Sequence, residues 1–366
     1  MADENDIAEP LHPRLSTRLI GQQAAEKHLL EAYLSGKMHH AWILGGPPGI
    51  GKATLAYRMA KFVLANPDPQ AMLVPPDSLE VDPDDPVARR VVAQGHADLL
   101  TVTPAWDQRN KRYKTEISVT EARRASEFFA RTAGEGGWRV CIVDPAGSMN
   151  AAAANALLKI LEEPPEKALF LLVTDVPGRL LRTIRSRCVR LDLRALDAPD
   201  VKSVLEGLRD RDPELDLSAA ATVTQYADGS PGRALQILKE GGFKSFETFL
   251  QMAGRLPQLD RKAALRLAQQ LSGRGAASEF AQFCDLMLAW LSQHIADAAR
   301  KAGQTGATPV VQNPAVWAEA HDEISRSLRR ANALNLDRQN TVLSVLNTLA
   351  KAAAVPPPAA GIARPA

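Results

Sequence analysis

Gly46-Pro47-Pro48-Gly49-Ile50-Gly51-Lys52-Ala53-Thr54 is the stretch that decides the fold. Its first seven residues match the Gly-x-x-x-x-Gly-Lys pattern of a phosphate-binding loop. In such loops backbone N–H groups cradle phosphates, the Lys reaches the outer phosphates, and a following Ser or Thr hydroxyl holds Mg²⁺. Here Ala53 stands where that hydroxyl belongs, and a hydroxyl arrives one residue late at Thr54. The cradle and the lysine are kept, and the metal-binding oxygen is missing from its usual place. The flanks agree with the motif. Ala41-Trp42-Ile43-Leu44 is a short apolar run that predicts a buried parallel strand. Leu55, Met59, Phe62 and Val63 recur at helical spacing and predict a helix over about 51–65 that packs on a sheet.

Outward from the loop, apolar runs at Leu99–Thr103, Arg139–Val143, Leu169–Val173 and Val189–Leu193 predict further strands. Helical patterns lie between them: 118–130, capped by Ser118 or Thr120; 150–162, capped by Asn150 and stopped by Pro164 and Pro165; and 180–185. Strands alternating with helices predict an α/β fold with a parallel sheet. Residues 66–94 are rich in Pro and Asp and predict an irregular excursion with at most one short helix, near 87–93. Asp107–Lys114 is polar and predicts a hairpin tip. After about Arg194 strand signals stop, and helical segments follow at 201–208, 218–226, 233–239, 246–253, 261–271, 279–299, 315–333 and 338–354. The expected layout is a loose tail over 1–13, a P-loop nucleotide-binding-like domain over 14–194, a small helical lid over 195–243, an all-α collar or oligomerisation domain over 244–355, and a Pro/Ala-rich tail over 356–366.

Composition bounds the rest. A chain of 366 residues implies two or three domains. Hydrophobic residues at 45% suffice for proper cores, and a net charge of +2 argues against a nucleic-acid coat protein while leaving room for a local basic patch. Cys141, Cys188 and Cys284 are far apart, so no disulfide framework or zinc site is expected. The acidic start is wrong for a secretory signal, and no apolar run reaches the roughly 18 residues of a membrane span. A cytoplasmic protein without membrane contact is the expectation.

Asp144 ends an apolar strand, where a nucleotide site of this kind holds its Mg²⁺. The next position, where a second carboxylate would polarise the attacking water, is Pro145, which has no proton-accepting side chain. Sustained hydrolysis is therefore not expected. Arg187, in Ser186-Arg187-Cys188, follows a helix and precedes a strand. It reads either as a salt-bridged surface residue or as an arginine finger offered to a neighbouring subunit. Arg233, in Gly229-Ser230-Pro231-Gly232-Arg233, reads as an ordinary helix-start residue or as one reaching back to a γ-phosphate. Arg109, Lys111, Arg112 and Lys114, with Tyr113 among them, read first as a solvated hairpin and second as a contact for a nucleic-acid backbone. His39 and His40 have no third metal-like partner in sequence and read as structural.

Asn155-Ala156-Leu157-Leu158-Lys159, Leu161-Glu162-Glu163-Pro164-Pro165, Phe170-Leu171-Leu172-Val173-Thr174 and Ser186-Arg187-Cys188 together resemble the clamp-loader family of AAA+ proteins. That family includes motor gamma/tau subunits, delta-prime subunits and the replication factor C subunits. The resemblance spans about 14–239. Asp144-Pro145 and Ala53 depart from the motor pattern, so within the family the chain looks like the delta-prime class of DNA polymerase III. The resemblance implies that Thr174 is the sensor 1 position, Arg187 a finger acting in trans, and Arg233 the sensor 2 position. With Gly46, Gly49, Gly51, Lys52, Thr54 and Asp144, Thr174 and Arg233 then form the candidate site for ATP or ADP, with Mg²⁺ weakly held or not held. Whether the loop holds a nucleotide stays open at this stage. The implied partners are gamma/tau and delta subunits, the sliding clamp, and primed DNA reached through the assembly. The alternative is an active gamma/tau-like motor. Residues 66–137 contain no Cys where many relatives carry a zinc module, so no zinc is expected.

Overall fold

The computed structural model describes residues 11–72, 74–135, 137–239, 242–301, 313–334 and 336–356. The expected tails lie outside the described residues except for 11–13 and 356. The chain forms two compact units, residues 1–217 with 227–233, and residues 218–226 with 234–366.

The first unit is built on a five-stranded sheet: β1 (Ala41–Gly45), β2 (Leu99–Val102), β5 (Arg139–Val143), β6 (Ala168–Thr174) and β7 (Val189–Asp192), in the spatial order β2-β5-β6-β1-β7. Every pairing in it is parallel. The interior strands β1, β5 and β6 are buried at every position, as their continuous apolar runs predict. The edge strand β7 alternates between half-buried and exposed. A separate antiparallel hairpin pairs β3 (Trp106–Asp107) with β4 (Arg112–Tyr113).

Helices cover the faces. α2 (Lys52–Ala65) buries Leu55, Met59, Phe62 and Val63. α4 (Val119–Ala130) starts at a capping box in which Ser118 and Glu121 satisfy each other's backbone N–H groups. α5 (Ala151–Glu162) starts where Asn150 Oδ1 accepts the Ala153 N–H at 2.9 Å. Ala153, Ala154, Leu157 and Leu161 are its buried face, and Phe129 of α4 meets Phe170 of β6 with ring centroids 4.6 Å apart. α6 (Arg182–Arg185) and α7 (Ala198–Arg209) flank β7 in sequence.

The Pro/Asp-rich excursion carries one 3-10 turn, Pro69–Ala71, and the short α3 (Pro86–Val92). It is anchored from an unexpected side. α1 (Gln23–Leu34) supplies Glu26, whose Oε1 accepts both from Arg58 Nε of α2 at 2.5 Å and from the Leu79 N–H at 3.1 Å. Leu79 is fully buried.

The second unit is helical: α8 (Ala220–Tyr226), α9 (Pro231–Lys239, whose first residues belong to the first unit), α10 (Gly242–Ala253), α11 (Arg261–Ser272), α12 (Ala277–Lys301), α13 (Pro314–Leu334) and α14 (Arg338–Ala354). Its core is aromatic. Phe249 meets Phe283 and Trp290 edge to face, and Trp290 meets Trp317 at 6.3 Å between centroids.

Candidate nucleotide site and sheet-edge arginine

The loop 46–51 bridges β1 and α2 at the edge where the parallel strands end. Three of its glycines have left-handed backbones, with φ of 134° at Gly46, 70° at Gly49 and 99° at Gly51. Gln22, buried, fixes the loop from beneath by donating to Ile50 O at 3.1 Å and to Arg194 O at 2.7 Å.

Lys52 is 4% exposed. Its ammonium donates to Gly46 O at 2.9 Å and to Pro47 O, and it pairs with Asp175 at 2.7 Å. Asp175 directly follows Thr174, which β6 places beside Gly45 of β1. Asp144, at the end of β5, faces the same group. Burial pushes its carboxyl up to about 6, with nearby Lys52 pulling it down and Asp175 pushing it up. Thr174 is buried and lies close to Gly147 in the turn after Asp144: a Cβ on Gly147 would sit 3.0 Å from Thr174 Oγ1.

Arg233 reaches this region through its segment rather than its side chain. Its guanidinium pairs with Asp228. Ser230 Oγ donates to Pro48 O at 2.8 Å and accepts the Arg233 N–H at 3.0 Å, and the Gly232 N–H donates to Gly49 O at 2.9 Å. Thr54 is half-buried and makes no side-chain hydrogen bond among the described residues.

Mg²⁺ takes near-octahedral oxygen ligands at short distance. Ala53 offers a methyl group where the loop's ligand belongs, Asp175 is engaged by Lys52, and Asp144 is buried, which raises its carboxyl to about 6. These residues do not fit a tightly held Mg²⁺. Among the described residues, no group of three or more His, Cys, Asp or Glu side chains is placed to hold a metal ion.

Arg187 lies elsewhere. Val189, two residues on, pairs with Trp42, and Asp192 pairs with Gly45. The chain therefore enters β7 at the edge where β1 begins, and the phosphate loop leaves from the edge where β1 ends. The five residues of β1, at about 3.3 Å each, put roughly 15 Å of sheet between them. At its own edge Arg187 pairs with Glu162, the last residue of α5, at 2.7 Å and donates to Thr183 O at 2.9 Å.

Residues 21–197 match the family described as DNA polymerase III, delta subunit. Over 304 residues the chain is 30% identical to the delta-prime subunit of DNA polymerase III of Yersinia pestis, covering 81% of this chain and 82% of that one. The chain belongs to the DNA polymerase III delta-prime family. The delta-prime subunit of Escherichia coli K12 is 29% identical over 304 residues, 83% of this chain and 82% of that one. A gamma subunit-related protein of Thermotoga maritima superposes with a TM-score of 0.39 at 18% identity, covering 89% of this chain and 99% of that one.

In this delta-prime family chain, sequence reasoning missed four residues that shape the two sites: Gln22, Glu162, Asp175 and Ser230. Three were within reach: Asp175 directly follows Thr174, and Glu162 and Ser230 each sit inside a quoted motif. Gln22 acts across 172 residues of chain, and nothing local marks it. His39 and His40 stack at 4.3 Å, and His40 Nε2 meets Leu161 O at 3.1 Å; burial and His39 push the His40 imidazole down from its usual range. No helix among the described residues is long and apolar enough to cross a membrane.

Proposed function

We propose that this chain is the finger-donating, non-motor subunit of a DNA polymerase III clamp loader, helping to place the sliding clamp on primed DNA. Its neighbours in the assembly are gamma/tau and delta subunits. The collar over 244–355 joins that assembly, and 195–243 serves as the lid of the nucleotide-binding-like domain. Arg187 reaches the ATP of an adjacent motor subunit. This chain's own loop holds ATP or ADP through Lys52 and the backbone N–H groups of 49–52 without turning it over, since Pro145 offers no general base and Ala53 no metal ligand.

The observation that carries this reading is the separation of Arg187 from the chain's own loop by the full length of β1. A guanidinium on that edge serves only a nucleotide held by another chain. The test is Arg187→Ala in the reconstituted loader with gamma/tau, delta, clamp and primed DNA. Turnover at the neighbouring site is expected to fall toward the roughly 10³–10⁵-fold loss seen when an arginine finger is removed, with assembly intact. Arg187→Lys is expected to recover little, because a compact ammonium lacks the planar fork. Undiminished clamp loading and ATP turnover in Arg187→Ala overturns the reading.

A further inference from the structure

The β3–β4 hairpin carries a cluster of charge that neither the loop nor Arg187 uses. Arg109, Lys111, Arg112 and Lys114 are all exposed, and Tyr113 among them is 55% exposed. Lys114 lies in the field of Asp107 and Glu121, whose carboxyls are held below their usual range first by hydrogen bonds with Asn110 and Ser118 and then by this ammonium. Arg109, Lys111 and Arg112 have no ion-pair partner among the described residues. The one carboxylate at the tip is spent on building the turn: Asp107 Oδ1 accepts from the Arg109 N–H at 3.0 Å and the Asn110 N–H at 3.2 Å, and Oδ2 accepts from Asn110 Nδ2 at 2.7 Å.

The tip is also preorganised. Trp106 and Tyr113 face each other across the strands, edge to face at 5.0 Å, and the Lys114 N–H donates to Ala105 O at 2.8 Å. Beyond the hairpin, Ile117 is tied to the turn after Asp144 by the Ile117 N–H to Ser148 O and the Asn150 N–H to Ile117 O, at 3.0 and 3.2 Å. Fixed cations bind a polyanion without first losing backbone freedom.

We propose that this hairpin is a docking surface for the phosphodiester backbone of duplex DNA, with Arg109, Lys111 and Arg112 on phosphates and the Tyr113 hydroxyl available to a further one. The chemistry favours a phosphate backbone over a protein partner. Protein interfaces close around an apolar, charge-poor centre, and here the only exposed large apolar side chain is Tyr113, flanked by cations. Phosphate contacts need fixed positive charge in a wet, polar setting, and they fix register without reading sequence. The inference rests on the proposed function only for the choice of DNA as the polyanion.

The test uses the full chain and a fluorescein-labelled 25-base-pair duplex of mixed sequence, with anisotropy read from 50 to 200 mM KCl. Each phosphate neutralised contributes about 0.9 to the slope of log affinity against log salt. The variant Arg109→Ala/Lys111→Ala/Arg112→Ala is expected to lose about 2 to 3 units of that slope and at least tenfold in affinity at 50 mM. The control Lys27→Ala/Arg89→Ala/Lys202→Ala removes the same charge from exposed positions elsewhere, each paired with an acid, and is expected to change affinity less than threefold. Equal losses in the two variants, or no salt-sensitive binding by the unaltered chain at 50 mM, overturn the proposal. So does a hairpin variant that binds DNA normally but fails to assemble with gamma/tau and delta subunits, which would make the surface a protein contact. Arg187 takes no part in this measurement. A fallen slope beside undiminished turnover in Arg187→Ala would remove the finger and leave the hairpin standing.

Discussion

Gly49 and Gly232 meet backbone to backbone: the Gly232 N–H donates to Gly49 O at 2.9 Å, and a Cβ built on Gly232 would lie 2.7 Å from Gly49 Cα. The phosphate loop and the start of α9 are held together by main chain, with Ser230 as a second strap onto Pro48. Only glycine fits at either position. The Gly49 backbone has φ of 70°, and its own Cβ would strike Ser230 Oγ.

Gly232→Ala is therefore expected to push the 229–233 segment off the loop. Overpacking a tight contact costs about 1–3 kcal/mol, read as a lower midpoint in chemical denaturation. Limited proteolysis near 226–234 should accelerate in the same variant. An unchanged midpoint and unchanged cleavage would show that the segment is not held by this contact.

Nucleotide binding by the isolated chain should depend on Lys52 and little on metal. A fluorescent ATP analogue is expected to bind with less than about threefold change on adding EDTA, and Lys52→Ala to weaken binding at least tenfold. Ala53→Thr restores the hydroxyl at its usual place and is expected to make binding Mg²⁺-dependent. Binding that survives Lys52→Ala would place the nucleotide, if any, outside the loop.

Glu26 neutralises Arg58 inside the first unit, and both side chains are about nine-tenths buried. Glu26→Ala leaves the buried guanidinium with only the exposed Glu80 carboxylate, at 3.5 Å, and frees the Leu79 N–H. Removing one partner of a buried pair costs about 3–5 kcal/mol, and denaturant titration should show that loss. Glu26→Gln keeps the hydrogen bonds and is expected to lose less. Equal stability of Glu26→Ala and the unaltered chain would reject the anchoring role.

Lys61 of α2 carries a pH signature. Burial, with Arg58 and Arg211 nearby, pushes its ammonium down to about 8, while its Nζ donates to Arg14 O at 2.7 Å. The folded chain thus releases this proton more readily than the unfolded chain, whose lysine titrates near 10.5. Below pH 8 both states hold the proton and the contribution is constant. Between about 8 and 10.5 the unfolded state binds more protons, so stability rises with pH. Relative to Lys61→Met, the unaltered chain should gain roughly 3 kcal/mol across that window. A difference that does not vary from pH 7 to 10 would refute the assignment.

The strands were legible because each interior one is a continuous apolar run. Arg139–Val143 was read to the residue, and β1 and β6 extend their runs by one or two residues at the ends. α14 was also read to the residue, because Asp337 caps it and Val355 leaves it for an extended turn. Other helices begin earlier than their apolar periodicity: α7 starts at Ala198 behind its Asp197 cap, and α10 at Gly242 rather than Phe246, since a helix begins at its cap and not at its first core residue. The candidate site was legible as a motif, since Gly46, Gly49, Gly51 and Lys52 act locally. What closes it was not. The lysine's tie to Asp175 and the strap from Ser230 to Pro48 cross 123 and 182 residues of chain, and pattern along a sequence carries no such distance.

A parallel sheet gives the first unit a front and a back. Its phosphate loop opens at one and Arg187 stands at the other, so under the proposed function the side that gives and the side that receives lie apart. Where such units couple head to tail, the one contact repeats from member to member and generates an arc or a ring. In any open arc one terminal member has a back with a neighbour to serve and a front that no finger enters. A chain with Pro145 and Ala53 loses nothing by occupying that place.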